Sequence, residues 1–280
     1  MPSHSPSTIV ALAKSTHPGP TLGVTVVAVV LGVAVGLEPW RLVLVTLAFL
    51  ANQASIGLSN DWLDAERDRA VGRTDKPVAL GQLSAQTARN AAFSAAAVSI
   101  LVTVPLGAAA FLAHALFLAS AWSYNLGLKR TAYSALPYLI SFGLLPQVIT
   151  LSRPDAAAAA PWAIGAGALL GLAAHFANVL PDLDDDRQTG VRGLPHRLGR
   201  RASGILTCAV LAAASALLLV GQGTVTAVQW IGLAVTLTIA LAGVILVLTR
   251  PPSRVLFRLI ILAALINVAL LVASGDRLLA

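Results

Sequence analysis

The chain has 280 residues, 57% of them apolar and only 11% charged, which leaves too little polar surface to cover a water-soluble globule. The formal net charge of +7 suggests nucleic acid at first sight, but basic residues on so apolar a chain record membrane topology, and no nucleic-acid partner is expected. The single cysteine, Cys208, lies inside an apolar run, which excludes an intramolecular disulfide and a zinc cluster built on thiolates.

The opening residues are polar, and the first apolar run continues to spanning length without a small-residue cleavage pattern, so it reads as a retained helix. Nine stretches have the length a helix needs to cross a hydrocarbon core about 30 Å thick. They are residues 20–37, 40–60, 86–104, 106–124, 133–151, 161–181, 204–221, 225–248 and 256–274. Pro105-Leu106-Gly107 divides the third from the fourth, because proline and glycine interrupt helices. Ser152 to Asp155 and the alanine run 156–160 read as a low-complexity connector. Nothing else is long enough for a second domain. Residues 1–280 are therefore expected to form one all-α integral membrane domain.

Nine crossings put alternate loops on opposite sides, and the basic residues test the count. With the N-terminus cytoplasmic, that side receives sixteen of the 19, from Lys14 through the loops after the second, fourth, sixth and eighth stretches. Only Arg41, Arg153 and Arg277 fall opposite. This is the asymmetry of the positive-inside rule, and it predicts a multi-pass cell-membrane protein with its N-terminus inside. The acids segregate as well: Asp61, Asp64, Glu66, Asp68, Asp75, Asp182, Asp184, Asp185 and Asp186 all lie at or just after the ends of the second and sixth stretches.

Within that acidic face a pattern repeats, since Asn60, Asp64 and Asp68 have the same spacing as Asn178, Asp182 and Asp186 about 118 residues later. Residues at i, i+4 and i+8 of a helix drift only about 40° per step, so each set is expected to project from one side. Carboxylates at a helix C-terminal end repel one another and the negative end of the dipole. A cation removes that conflict. Magnesium suits the donors, because it takes one or two carboxylates and completes its shell with water and phosphate oxygens. A diphosphate held between two such ends would also need basic partners, for which Arg67, Arg73, Lys76, Lys129, Arg130 and Arg187 are candidates.

Asn60-Asp61-Trp62-Leu63-Asp64-Ala65-Glu66-Arg67-Asp68, followed by Arg73-Thr74-Asp75-Lys76-Pro77 and Gly81, resembles the NDxxDxxxD motif and its basic tail in the UbiA family of membrane prenyltransferases. Asn178 to Asp186 with Gly190 and Leu198-Gly199 is similar to the family's second aspartate motif, and Tyr124 with Lys129-Arg130 to its tyrosine-lysine element. Two departures stand out: four residues separate Tyr124 from Lys129 where the family often has three, and Arg192 stands where a lysine is typical.

The resemblance implies a nine-helix fold around a central cavity open to lipid, and a magnesium-dependent transfer of a prenyl group from an isoprenyl diphosphate to an aromatic or quinone-precursor acceptor. It implies that Asn60, Asp64, Asp68, Asp182 and Asp186 hold the metal, with Asp61 and Asn178 supporting. Arg67, Arg73, Lys76, Lys129 and Arg130 would contact the diphosphate, and Tyr124 would lie near the reacting carbon. Trp62, Trp122 and Tyr124 offer π faces to a carbocation. Asn52, Gln53, Ser55, His114, Gln147, His175 and Asn267 are buried polar candidates for acceptor recognition. His175 and Asn52, which share faces with Asn178 and Asn60, are expected to support the two motifs. A terpene cyclase on the same scaffold, or a non-catalytic transporter or lipid-binding protein, would share these features.

Overall fold

The computed structural model describes residues 7–183, 186, 190–223, 226–249 and 254–280, with the side chains of 254–257 excluded. Asp184, Asp185 and Arg187 lie outside the described residues. The described chain is helical, and its one β-type pairing is an isolated bridge from Ala159 to Leu279.

The helices are α1 (Thr8–Ser15), α2 (Pro18–Ala34), α3 (Pro39–Leu63), α4 (Ala65–Ala70), α5 (Ala85–Thr103), α6 (Ala108–Leu126), α7 (Leu136–Leu151), α8 (Pro161–Val179), α9 (Leu194–Gly221), α10 (Ala227–Thr249) and α11 (Arg254–Val272). Each of the nine apolar stretches coincides with one of α2, α3 and α5 to α11. Among the described residues, Pro39–Leu63, Ala85–Leu106, Pro161–Asp182, Leu194–Gly221 and Ala227–Thr249 have the length and apolarity to cross a membrane, and the bent pair α1 and α2 makes a sixth. Leu136–Leu151 and Arg258–Val272 are shorter apolar helices. The protein is thus a multi-pass membrane protein.

Local chemistry sets the boundaries. Pro39 and Pro161 open α3 and α8 at positions where a missing N–H costs nothing. Ser84 caps α5 by accepting the Thr87 N–H at 3.0 Å. The break expected at 105–107 is a 3-10 turn, Val104–Leu106, closed by Gly107. The expected 204–221 span begins later than its helix, because α9 kinks at Gly199, whose φ of 79° an L side chain rarely adopts. Residues 194–198 form a short arm before that kink. The acidic motifs also differ from one unbroken helix each: α3 ends at Leu63 and α4 starts at Ala65, so Asp64 sits at the join. The second motif leaves α8 through a 3-10 turn, Leu180–Asp182, where Pro181 removes a backbone donor.

Two apolar cores flank α8. One joins α2, α3, α6, α7 and α8 through Leu31, Phe49, Phe117 and Ile149; the other joins α8 to α11 through Leu170, Leu211, Val247 and Ile260. A small third cluster, Ala11, Ala65, Val78, Leu83 and Ala88 with Trp62 against it, packs α1, α4 and α5 around the first aspartate motif. Large apolar side chains such as Val33, Leu101, Leu112, Val228, Ile231 and Leu241 are exposed, as a lipid-facing surface requires.

Lipid tails are as apolar as leucine, so helices in a membrane gain from close backbone approach. At Gly171 of α8 a Cβ would stand 2.4 Å from the Tyr138 carbonyl oxygen and 2.6 Å from the Phe142 Cβ. That contact seats α7 on α8. Gly171→Ala is expected to lower stability by about 1–3 kcal/mol through overpacking, seen as a lower thermal midpoint in detergent. An unchanged midpoint would mean that α7 and α8 separate without cost.

Candidate active site

The end of α3 and the turn after α6 meet at Asp64. Its carboxylate is 1% exposed and receives the Lys129 ammonium at 2.6 Å on both oxygens. Arg67 Nη2 donates to it at 3.0 Å and Asn60 Nδ2 at 3.0 Å. Asn60 also reaches Asn125 Oδ1 at 3.4 Å, and Asn125 is tied back to α3 through Ser59 Oγ at 2.8 Å and the Ile56 carbonyl at 2.9 Å. In a site of low dielectric such charge-assisted bonds are strong, and a buried charge left unpaired is costly.

Arg67 joins the two motifs. The same guanidinium lies 3.0 Å from Asp64, 3.5 Å from Asp68 and 3.9 Å from Asp186. Arg73 makes a second link, with Nη1 3.4 Å from Asp182 and two 2.8 Å bonds to Asp75. Those bonds hold the Asp75 carboxyl down at about 2 and push the Arg73 guanidinium above its ordinary value. On the second motif, His196 Nε2 of the α9 arm lies 3.3 Å from Asp186.

Burial opposes these charges. It raises the Asp68 carboxyl, with Lys76 and Arg67 pulling the other way, and it raises Asp186 in the same sense against Arg67 and His196. It lowers the Lys129 ammonium against the pull of Asp64. Carboxyls and an ammonium that burial drives toward neutrality gain when further opposite charge arrives.

Beneath the charges lies an aromatic group. Tyr124 meets Tyr138 edge-on at 5.3 Å and His175 at 5.8 Å, and Tyr138 lies 4.9 Å from His175 and stacks on Phe142 at 6.1 Å. Asn178 Nδ2 donates to the Tyr138 hydroxyl at 3.0 Å, which ties the second motif to this group. His175 Nε2 is 3.0 Å from Ser134 Oγ, which accepts the Leu194 N–H at 2.8 Å.

Residues 21–273 match the profile described as the UbiA prenyltransferase family. The chain belongs to that family. It is 31% identical over 201 residues to the bacteriochlorophyll synthase 33 kDa chain of Cereibacter sphaeroides, covering 67% of this chain and 66% of that one. It is 29% identical over 149 residues to the digeranylgeranylglyceryl phosphate synthase of Korarchaeum cryptofilum, covering 52% of each. The alignments therefore span two thirds or less of these curated relatives. The fold matches a UbiA homolog from Archaeoglobus fulgidus bound to GPP and Mg2+, with a TM-score of 0.71 at 14% identity over 95% of this chain and 99% of that chain.

Within this UbiA fold the expected residues fall into groups. Asp64, Asp68 and Asp186 meet around the Arg67 guanidinium, Lys129 and Asn60 bind the same Asp64, and Arg73 brings in Asp182. Lys76 and Asp61 form a neighbouring pair, with Lys76 Nζ 2.7 Å from Asp61 and 3.0 Å from Asn60 Oδ1. Arg130 is exposed beside Lys129. Asn52 lies apart: fully buried, it is 3.3 Å from His114 Nε2, which Ser99 Oγ approaches at 2.7 Å. Trp122 donates to Ser55 at 3.0 Å and, with Trp62, flanks Phe93. Gln147 caps the Ala159 N–H, and Asn267 bonds to Ser215.

His17, Asn125, Ser134, Tyr138 and His196 join the site without having been singled out. Tyr138 and Asn125 carry a signal, a polar group in or at the end of an apolar run, that applies equally to many helix-packing residues. His17, Ser134 and His196 carry none.

Among the described residues no three His, Cys, Asp or Glu side chains are gathered about one point as metal ligands. The donors nevertheless fit magnesium. They are hard oxygens, and Asp68 Oδ2 is buried without a hydrogen-bond partner, so one ligand atom on the first motif is open. Asn60, Asp64, Asp68, Asp182 and Asp186 are the side chains expected from the sequence to hold it.

Proposed function

We propose that this protein transfers a prenyl group from an isoprenyl diphosphate to a hydrophobic acceptor within the membrane, using magnesium. The observation that carries the proposal is the convergence of Asp64, Asp68 and Asp186, from helix ends far apart in sequence, on the single guanidinium of Arg67. Two aspartate sets linked by Arg67 and Arg73, with Lys129 and Lys76 against the first, are suited to a polyanion and its counter-ions. The structural relative's bound GPP and Mg2+ support the same reading.

Bound magnesium supplies positive charge to the leaving diphosphate. The residues of this chain do the rest. Lys129, Arg67, Arg73 and Lys76, with Arg130 at the rim, bind phosphate oxygens and stabilise the charge that grows as the allylic C–O bond breaks and its electron pair leaves with the diphosphate. Tyr124, held edge-on by Tyr138 and His175, lies near the cationic carbon. The buried setting keeps water from the cation until the acceptor's electrons form the new bond and the acceptor gives up its proton. Nine crossings in one domain over residues 1–280, with the N-terminus and the aspartate ends cytoplasmic, complete the reading; sixteen of the 19 basic residues on that side support it.

Purified protein in detergent, supplied with a lipid extract of its own membranes as the source of acceptor, is expected to release diphosphate from polyprenyl diphosphates when magnesium is present and to stop when EDTA is added. Folded protein that releases none with any chain length from ten carbons upward would sink the proposal. Release without acceptor, yielding a hydrocarbon, would identify a cyclase instead.

A further inference from the structure

His17 stands at the join of α1 and α2, which bend by 58° there. It adopts a left-handed conformation, φ 55° and ψ 69°, and is one of two non-glycine residues with positive φ among those described. Such a conformation carries a local cost and persists where surrounding contacts determine it. Three contacts do so. The Thr21 N–H donates to the His17 carbonyl at 3.1 Å, and the Thr21 hydroxyl donates to the Thr16 carbonyl at 2.7 Å. The third is Gly57 of α3, where a Cβ would stand 2.5 Å from the Thr16 carbonyl oxygen. A glycine in the middle of a spanning helix and a left-handed histidine together bring the α1–α2 join onto α3 one turn before Asn60.

The side chain explains the placement. His17 Nε2 lies 2.7 Å from Asp61 Oδ1 and 2.9 Å from Lys76 Nζ. Asp61 and Lys76 are buried, and Lys76 Nζ donates to Asp61 Oδ1 at 2.7 Å and to Asn60 Oδ1 at 3.0 Å. Asn60 in turn turns its amide toward Asp64. The imidazole thus sits against both members of the pair, its Nε2 donating to Asp61 in the Nε2–H tautomer or accepting from Lys76 in the Nδ1–H tautomer, and the Lys76 ammonium so held fixes which way the Asn60 carboxamide faces.

We propose that His17 is a positioning residue for the prenyl diphosphate: through Lys76 and Asp61 it orients Asn60, so that the N-terminal α1–α2 join sets the geometry of the first aspartate motif. The proposal rests on the prenyl-transfer reading for the roles of Asn60 and Lys76. His17 itself touches neither Asp64 nor Asp68 in the described contacts, so its effect is indirect and falls on binding.

The test compares His17→Ala, His17→Gln and Gly57→Ala in purified full-length protein, measuring KM for geranylgeranyl diphosphate, kcat, Mn2+ binding by electron paramagnetic resonance, and thermal midpoint. Loss of one charged hydrogen bond is expected to raise KM about tenfold in His17→Ala and to weaken Mn2+ binding in the presence of the diphosphate, with kcat changing less. His17→Gln, which places an amide nitrogen near the same point, recovers most of the loss. Gly57→Ala, which pushes Thr16 away, reproduces the KM increase with the histidine intact. Wild-type KM in both alanine variants overturns the proposal, as does a His17→Ala defect confined to the thermal midpoint. If Asp64→Asn abolishes activity in the same assay while the His17 variants are silent, this inference alone fails. If folded wild-type protein turns over no prenyl diphosphate in that assay, the prenyl-transfer reading beneath it fails.

Discussion

Asp64→Ala is expected to abolish diphosphate release, by about 10²–10³-fold or more, the scale of losing one preorganised electrostatic group. Asp64 takes Lys129 on both oxygens, Arg67 and Asn60. Its removal also strands the buried Lys129 ammonium, which costs about 3–5 kcal/mol when a buried pair loses one partner. Folding and chemistry must therefore be separated. Asp64→Asn keeps the shape and tests the charge. The double variant Asp64→Leu with Lys129→Met removes both charges and is expected to regain most of the thermal midpoint while remaining inactive. Recovery of activity along with stability, or more than about a tenth of wild-type turnover in Asp64→Asn, would remove Asp64 from the chemistry.

The second large effect is expected at Arg67. Arg67→Ala takes away a side chain that lies within 4 Å of both aspartate sets, while Asp64 keeps Lys129 and Asp186 keeps His196. A loss of about 10²-fold in kcat/KM is expected, with KM rising and less metal bound in the presence of diphosphate. Arg67→Lys is expected to recover little, because a compact ammonium cannot present a planar fork to carboxylates on two sides. Full activity in Arg67→Lys would mean that charge alone is needed there and that the link between the motifs is incidental.

Much of this molecule is legible along the chain. The nine apolar stretches coincide with helices because spanning length and composition are local properties, and prolines and glycines mark their ends at residues 39, 107 and 161. The kink at Gly199 is less legible, since a glycine within an apolar-flanked helix signals several different conformations equally. The break at Asp64 was hidden for another reason: the i, i+4, i+8 spacing fits a continuous helix, and only packing of α4 by Ala65 against Ala11, Val78 and Ala88 redirects the chain there.

Composition and periodicity by themselves determined the membrane class, the positions of the helices and the gathering of acids at two helix ends, since each follows from burial cost and residue spacing along one segment. Tertiary structure alone decided which cation serves which acid: Lys129 on Asp64 from 65 residues away, Arg67 across to Asp186, and His17 beneath Lys76 and Asp61. The physical reason is that leaving a charge without its partner costs little in water and much when buried. Its partner is therefore chosen by which side chains the helix packing seals together, a three-dimensional distance that no spacing along the chain encodes.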